Sequence, residues 1–307
     1  MFFASRLFLR HSDNLNPFPD KANGVYRCRK MKILYSRAVL PGFKTSFGLT
    51  LFWLGTMVVL PFIMLFLSTI QLSWQDFWLT VSNQRVIASI LLSFKMALIA
   101  TVVNVIFGTL IAWVLVRYQF KGKSVVNALI DLPFALPTAV AGIVLASLYA
   151  PNGLFGQWFN LFGVKIAFTP IGIAIALIFV SFPFVVRAIQ PVLNDLDGAI
   201  EEAATTLGAS RFTILRRVIL PALYPAIIGG AGMGLARSLG EYGSVIFIAG
   251  NIPLVSEIAP LIIMSKLDIY DMQGASAVAF LMLLLAFLVL FLINLWQWYL
   301  NRHYTSK

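Results

Sequence analysis

Six apolar runs, each close to the length needed to cross a bilayer, leave this chain few folds to choose from. They cover residues 48–68, 96–116, 132–150, 171–186, 225–248 and 276–298. A hydrocarbon core of about 30 Å takes roughly 20 helical residues to cross. Inside it only helices and closed barrels satisfy every backbone polar group. Barrel strands need alternating apolar and polar residues in stretches of about 10. The run Phe280-Leu281-Met282-Leu283-Leu284-Leu285-Ala286-Phe287 is apolar on every side, so helices are the fit. The expectation is an all-α, polytopic membrane helical bundle of about six transmembrane helices. Composition agrees: with 60% hydrophobic and 11% charged residues and a mean hydropathy of +0.88, lipid must cover part of the apolar surface.

A net charge of +11 would suggest nucleic acid in a soluble protein. Here the cations sit at the ends of apolar runs and set orientation instead. Arg27, Arg29, Lys30, Lys32, Arg37 and Lys44 precede the first run, and Arg117, Lys121 and Lys123 lie between the second and third. Arg187, Arg211, Arg216 and Arg217 lie between the fourth and fifth, and Arg302 and Lys307 follow the last. The remaining connections carry Arg85, Lys165 and Lys266. By the positive-inside rule both termini and the fourth-to-fifth connection are expected in the cytoplasm, which an even number of spans allows. The segment 252–264 is apolar but short and carries Pro253, Glu257 and Pro260, so it is expected to be re-entrant or interfacial.

Residues 1–30 lack a continuous apolar stretch of the signal-peptide kind. Asp13 and Asp20 argue against an organellar transit segment, and Met31 offers an alternative start. The single Cys28 makes no internal disulfide and suits no thiolate metal site. His11 and His303 are both terminal, so no histidine metal or proton-relay site is expected within the bundle. Gly122-Lys123-Ser124 ends like a P-loop, but Arg117 occupies the position of the first glycine. ATP binding by this chain, cofactors, metal and catalysis are therefore not expected.

The polar island at 195–221 interrupts this apolar pattern. It reads as two short helices. Asp195 or Asp197 can cap the first, Glu201 and Glu202 suit the positive end of its dipole, and Gly208 can stop it in the left-handed conformation. Ala203 and Ala204 leave a shallow face that a partner could approach. Ser210 can cap the second helix, which Pro221 is expected to end or bend. A DNA-binding helix-turn-helix is the competing reading, and the direct tether to spans on both sides argues against it.

Within the spans, Pro133 and Pro137 stand one turn apart, where they can kink the third run into a bend that lines a pathway or merely shapes a helix start. Arg237 and Glu241 are expected inside the fifth span, Arg237 about 18 Å from Pro225 along the helix, and spaced to pair. Charges at that depth face protein or a water-filled path. Two roles stay open: Arg237 easing passage of a dianion, or an ion pair fixing helix contacts. Gly229, Gly230, Gly232 and Gly234 precede them and permit close helix approach.

The loop residues Glu201-Glu202-Ala203-Ala204, then Gly208, then Val218-Ile219-Leu220-Pro221 resemble the EAA loop of type I ABC importer permeases, with Val218 where the pattern usually has Ile. Two further stretches carry a closer likeness, to the T-type subunit of sulfate/thiosulfate permeases. They are Asp131-Leu132-Pro133-Phe134-Ala135-Leu136-Pro137-Thr138-Ala139-Val140-Ala141-Gly142 and Arg237-Ser238-Leu239-Gly240-Glu241-Tyr242-Gly243, the latter followed by Val245-Ile246-Phe247-Ile248-Ala249-Gly250-Asn251. The resemblance implies a MetI-like transmembrane domain over 86–298. A first helix and external loop (46–85) precede it, a cytoplasmic segment (1–45) precedes those, and a short tail (299–307) follows. It also implies ATP-binding cassette ATPase subunits docking on 195–221, a second homologous (W-type) permease, a periplasmic sulfate/thiosulfate-binding protein, and an inner-membrane location. An organellar envelope is the alternative location. A molybdate/tungstate permease is the nearest rival, although its third span would typically read Leu-Pro-Pro where this chain has Leu136-Pro137-Thr138. An ion-coupled secondary transporter using Glu241 as a proton site, and a membrane interaction subunit without transport, are more distant alternatives.

Overall fold

The computed structural model describes residues 43–304. The N-terminal cations up to Arg37, Cys28, the alternative start at Met31 and Lys307 lie outside the described residues. The chain divides into two compact units, Met1–Thr56 and Met57–Lys307. In the first unit the described part is one helix, α1 (Phe43–Leu54), with Phe47, Leu49, Phe52 and Trp53 exposed. That is the surface expected of a lipid-facing helix.

The second unit holds the rest. After the π turn Gly55–Val59, which straddles the division, come α2 (Leu60–Ile70), α3 (Trp74–Val81), α4 (Gln84–Arg117), α5 (Lys123–Ala135), α6 (Thr138–Tyr149) and α7 (Leu154–Leu161). They are followed by α8 (Pro170–Asp195), α9 (Gly198–Thr206), α10 (Arg211–Ile214), a π turn (Leu215–Ile219), α11 (Leu220–Leu239), α12 (Val245–Ala249), α13 (Ala259–Asp268) and α14 (Met272–Tyr304). Every regular element among the described residues is helical, as the apolar runs required. Five helical stretches are long and apolar enough to span: Thr45–Ile70, Gln84–Arg117, Pro170–Asp195, Arg211–Leu239 and Met272–Trp298. A sixth forms only if α5 and α6, bent by 110°, are counted as one.

α4, α8 and α11 pack together as the centre of the unit. Two apolar clusters lie along them. One joins the start of α4 (Val86, Ile90, Ala97) to Ile173 and Leu177 of α8, Leu235 and Leu239 of α11, and residues of α12 to α14. The other joins the end of α4 (Ala112, Leu115) to Val185, Ile189 and Leu193 of α8 and to Ile214, Ile219 and Leu223. Between them Asn104, fully buried, donates to the Ile178 carbonyl (3.1 Å) and to Ser181 Oγ (2.8 Å). Gly230 and Gly234 turn toward Val185, and Gly229 and Gly232 toward Gln297 and Ile293 of α14. The small residues of α11 thus seat neighbours on two sides.

Four expectations need correction. The third run does not begin at Leu132: α5 starts at Lys123, Pro133 lies inside it, and Pro137 caps α6. Residues preceding proline avoid the helical conformation, and Leu136 is extended (φ −84°, ψ 132°), which places the 110° bend there. The fourth helix runs past Pro183 and Pro191 to Asp195, because packing against α4 and α11 holds it where the missing donors would loosen it. The fifth span stops at Leu239, not 248, and α12 is a separate helix. Pro221 does not end the second loop helix. The Leu215–Ile219 turn widens to an i→i−5 bond from Leu220 N–H to the Leu215 carbonyl, and the helix continues through Pro221 into α11. The segment 252–264 forms turns and the first half of α13, with Ile258, Leu261 and Ile262 buried in the first cluster.

Candidate functional site

The loop is built from local hydrogen bonds. Asp197 caps α9 by accepting from Ala199 N–H (3.0 Å), while Asp195 is spent as the last residue of α8. At the other end Gly208 takes φ +81°, and Gly208 N–H and Ala209 N–H donate to the Thr205 and Ala204 carbonyls. This is the left-handed stop that glycine allows. Ser210 accepts from Thr213 N–H (3.3 Å) and starts α10.

Glu201 pairs with Arg117 at the end of α4, whose guanidinium also lies 5.6 Å from the Trp113 ring. Glu201 therefore tethers the loop to the bundle, while Glu202 stays exposed. Ala203 is open, but Ala204 leans on the second apolar cluster with Ala209. The apolar groups offered outward are Leu207 (88% exposed) and Phe212 (70%). Neither stood out in the sequence, where a lone apolar residue in a polar loop is ordinary. Leu220 and Pro221 belong to the first turn of α11 rather than to the loop surface.

At the far end of α11, Arg237 Nη2 lies 2.8 Å from Glu241 Oε2. Glu241 sits beyond the helix end, not within it. Its Oε1 accepts from Ser244 N–H (2.8 Å) and Ser244 Oγ (2.9 Å), so one carboxylate gathers three donors and folds residues 241–244 into a turn. The Glu241 side chain is 2% exposed and that of Arg237 is 32% exposed. The carboxylate is enclosed, whereas the guanidinium keeps a free edge.

This turn packs directly against the bend between α5 and α6. A Cβ on Gly142 would come within 2.8 Å of Ser244 Cα, and one on Gly243 within 3.2 Å of Thr138 Cβ. The two sequence stretches 131–142 and 237–251 therefore meet in space, glycine against backbone. Below the bend, Asp131 accepts from Arg187 Nε (2.8 Å), and Arg187 Nη1 also donates to Asn127 Oδ1 (2.9 Å), fastening α5 to α8.

Sequence reasoning missed a second enclosed carboxylate. Arg85, at the start of α4, grips Glu257 with two hydrogen bonds (Nε to Oε2 2.7 Å, Nη2 to Oε1 2.6 Å), and Glu257 is 2% exposed. Nearby, Ser93 Oγ accepts from Ala259 N–H (2.8 Å), capping α13 from another helix. Lys266 Nζ lies 2.7 Å from Asp271 Oδ2. The Asp271 carboxyl is held below its ordinary value, first by that hydrogen bond and then by Gly274 N–H. No group of three or more His, Cys, Asp or Glu suited to a metal occurs among the described residues.

Five helical stretches long and apolar enough to span, a sharply bent helix pair, and one capped two-helix loop between spans make this a multi-pass membrane protein. The sequence model for the binding-protein-dependent transport system inner membrane component matches residues 104–306, and the chain belongs to that family. The sulfate transport system permease protein CysT of Salmonella typhimurium is 46% identical over 267 residues, which is 87% of this chain and 96% of that protein. CysT of Escherichia coli is 46% identical over 85% of this chain and 95% of its own length. CysT of Synechocystis sp. is 44% identical over 83% and 89%. Among solved structures, the fold resembles a bacterial ABC transporter that imports the acidic polysaccharide alginate (TM-score 0.68, 16% identity, 83% of this chain and 94% of that one). A bacterial alginate ABC transporter in complex with an alginate pentasaccharide-bound periplasmic protein also has a TM-score of 0.68, at 18% identity over 82% of this chain and 92% of that one.

Proposed function

We propose that this chain is a membrane-spanning subunit of an ATP-driven importer that translocates sulfate or thiosulfate. The observation that carries the reading is identity of 46% over nearly the whole length of relatives named as sulfate permeases. The tight contact between the two stretches that bear the closer likeness adds to it. In this reading an ATP-binding cassette subunit docks on 195–221, with Ala203, Leu207 and Phe212 offered to it. A second, W-type permease completes the membrane part, and a periplasmic sulfate/thiosulfate-binding protein delivers the anion. The protein lies in the inner membrane with both termini and Arg211 on the cytoplasmic side, and Lys165 and Lys266 opposite, as the distribution of basic residues favours.

Glu241 acts by position. Enclosed and held by three donors, it fixes the turn at 241–244 and the orientation of Arg237. Arg237 is fixed by it and keeps one edge open, where an anion could be met.

Labelled sulfate uptake in cells lacking their own permease subunit tests the proposal. Restored uptake, competed by thiosulfate and not by molybdate at equal concentration, is the expected result. Competition by molybdate alone would move the reading to the molybdate class. Single cysteines at 165 and 266 should react from outside and one at 211 only after permeabilisation; external labelling at 211 would invert the topology.

A further inference from the structure

An open groove of about 790 Å³ runs along the last turns of α4 beside the loop. Its floor is apolar, from Ile106 and Leu110 of α4 to Leu223 of α11. Its mouth is polar and aromatic: Tyr118, Arg211 and the exposed ring of Phe212. The carboxylate in its wall, Glu201, is already taken by Arg117. Arg211 is exposed and has no ion pair among the described residues, and the same holds for Arg216 and Arg217 on the next turn. From Ile106 to Arg117 the helix rises about 16 Å, close to half of the roughly 30 Å hydrocarbon core. The groove is thus one leaflet deep, greasy within the membrane and cationic at its surface.

We propose that this groove binds one anionic phospholipid, an acyl chain lying along Ile106 and Leu110 with its phosphate on Arg211. Charge complementarity selects the occupant. Basic pockets between spans attract anionic headgroups, at about 1 kcal/mol per Lys or Arg near the surface, and the free Arg211 lacks any protein carboxylate to serve. Tyr118 and Trp113 place aromatic rings at the level where such rings favour the headgroup region. A bound lipid would brace α10 against α4. The inference concerns lipid alone and not the transported anion; within the proposed docking loop it uses Arg211 and leaves Ala203 and Leu207 to the ATPase.

The test is native mass spectrometry of the full-length protein, with whatever subunits co-purify, after incubation with phosphatidylglycerol or phosphatidylcholine. The wild type should retain one phosphatidylglycerol about fivefold better than one phosphatidylcholine, the factor that a single surface cation supplies. Arg211→Gln should erase that preference while leaving phosphatidylcholine retention unchanged, and Leu110→Trp, which fills the groove, should lower retention of both. Equal retention of both lipids by the wild type, or an undiminished preference in Arg211→Gln, overturns the proposal. A photo-crosslinker at 106, on the groove floor and away from the docking loop, gives an independent readout that needs no weakened variant: lipid adducts are expected, and protein adducts without lipid would refute it.

Discussion

The unequal burial of Arg237 and Glu241 predicts unequal consequences for losing either one. Arg237→Gln leaves a carboxylate that is 2% exposed, with only the two Ser244 donors to face its charge. Breaking a buried pair in this way costs about 3–5 kcal/mol. Glu241→Gln is milder. An amide oxygen still accepts from Ser244, and Arg237, with a third of its side chain exposed, can turn to water, so the loss is that of a charged hydrogen bond, about 1.5–3 kcal/mol. The double variant removes both charges and should resemble Glu241→Gln. At roughly 3 °C per kcal/mol, thermal melting in detergent should fall by about 12 °C for Arg237→Gln and about 6 °C for the other two. Sulfate uptake on the same variants adds a second axis: a double variant that melts well yet fails to import assigns Arg237 to the pathway. Glu241→Gln melting below Arg237→Gln, or the double variant melting lowest, would refute the reasoning, because the enclosed charge would then not be the one that needs its partner.

Gly142→Ala should destabilise the bundle by about 3 kcal/mol, the upper end for overpacking, since its Cβ would press on the Ser244 backbone. Gly243→Ala meets the rotatable Thr138 side chain and should cost less, with Thr138→Ala restoring part of the loss in melting assays. Gly208→Val, forced to hold φ +81°, should lose at least about 1–2 kcal/mol locally and abolish uptake while membrane insertion, read by cysteine labelling, stays normal. Asp271, whose folded carboxyl titrates below its ordinary value of 3.8, contributes stability that is complete above that value and lost as pH falls through the folded one. The melting gap between wild type and Asp271→Asn should therefore be constant at neutral pH and close under acid, and a gap that persists at low pH would contradict it.

The all-helical, multi-span fold could be read directly, because apolar runs of bilayer length leave no other way to satisfy the backbone. Where the runs break could not. The apolar run from 225 to 248 averages over Gly240-Glu241-Tyr242-Gly243-Ser244, and the helix stops there, where Glu241 turns to accept from Ser244, a polar event within an apolar average. Pro133 and Pro137 marked the broken span. However, the fastening of α5 to α8 through Asp131 and Arg187, which sets where the first half of that span lies, is something hydropathy does not see. The Arg85–Glu257 pair joins residues 172 apart. In the sequence Arg85 looked like one more orientation signal and Glu257 like an interruption, and only the packing of α4 against α13 makes them partners. The caps of the loop were legible because Asp197, Gly208 and Ser210 act on residues two to four positions away.

The continuity of α10, the π turn and α11 gives the molecule a mechanical property. Twenty-nine residues from Arg211 to Leu239 form a strut about 43 Å long. Its compliant places are the widened turn at Leu215–Ile219, next to the donor missing at Pro221, and the second missing donor at Pro225. A tilt of about 5° at the outer end swings the other by roughly 4 Å over that length. That end carries Arg237 and the Glu241 turn, which is wedged without clearance against the α5–α6 elbow. A push on α10 is taken up in part at those compliant places, and the remainder is carried along the shaft. What reaches the far end meets the elbow through the close packing of Gly142 on Ser244 and of Gly243 on Thr138, so the elbow feels any shift of the strut directly.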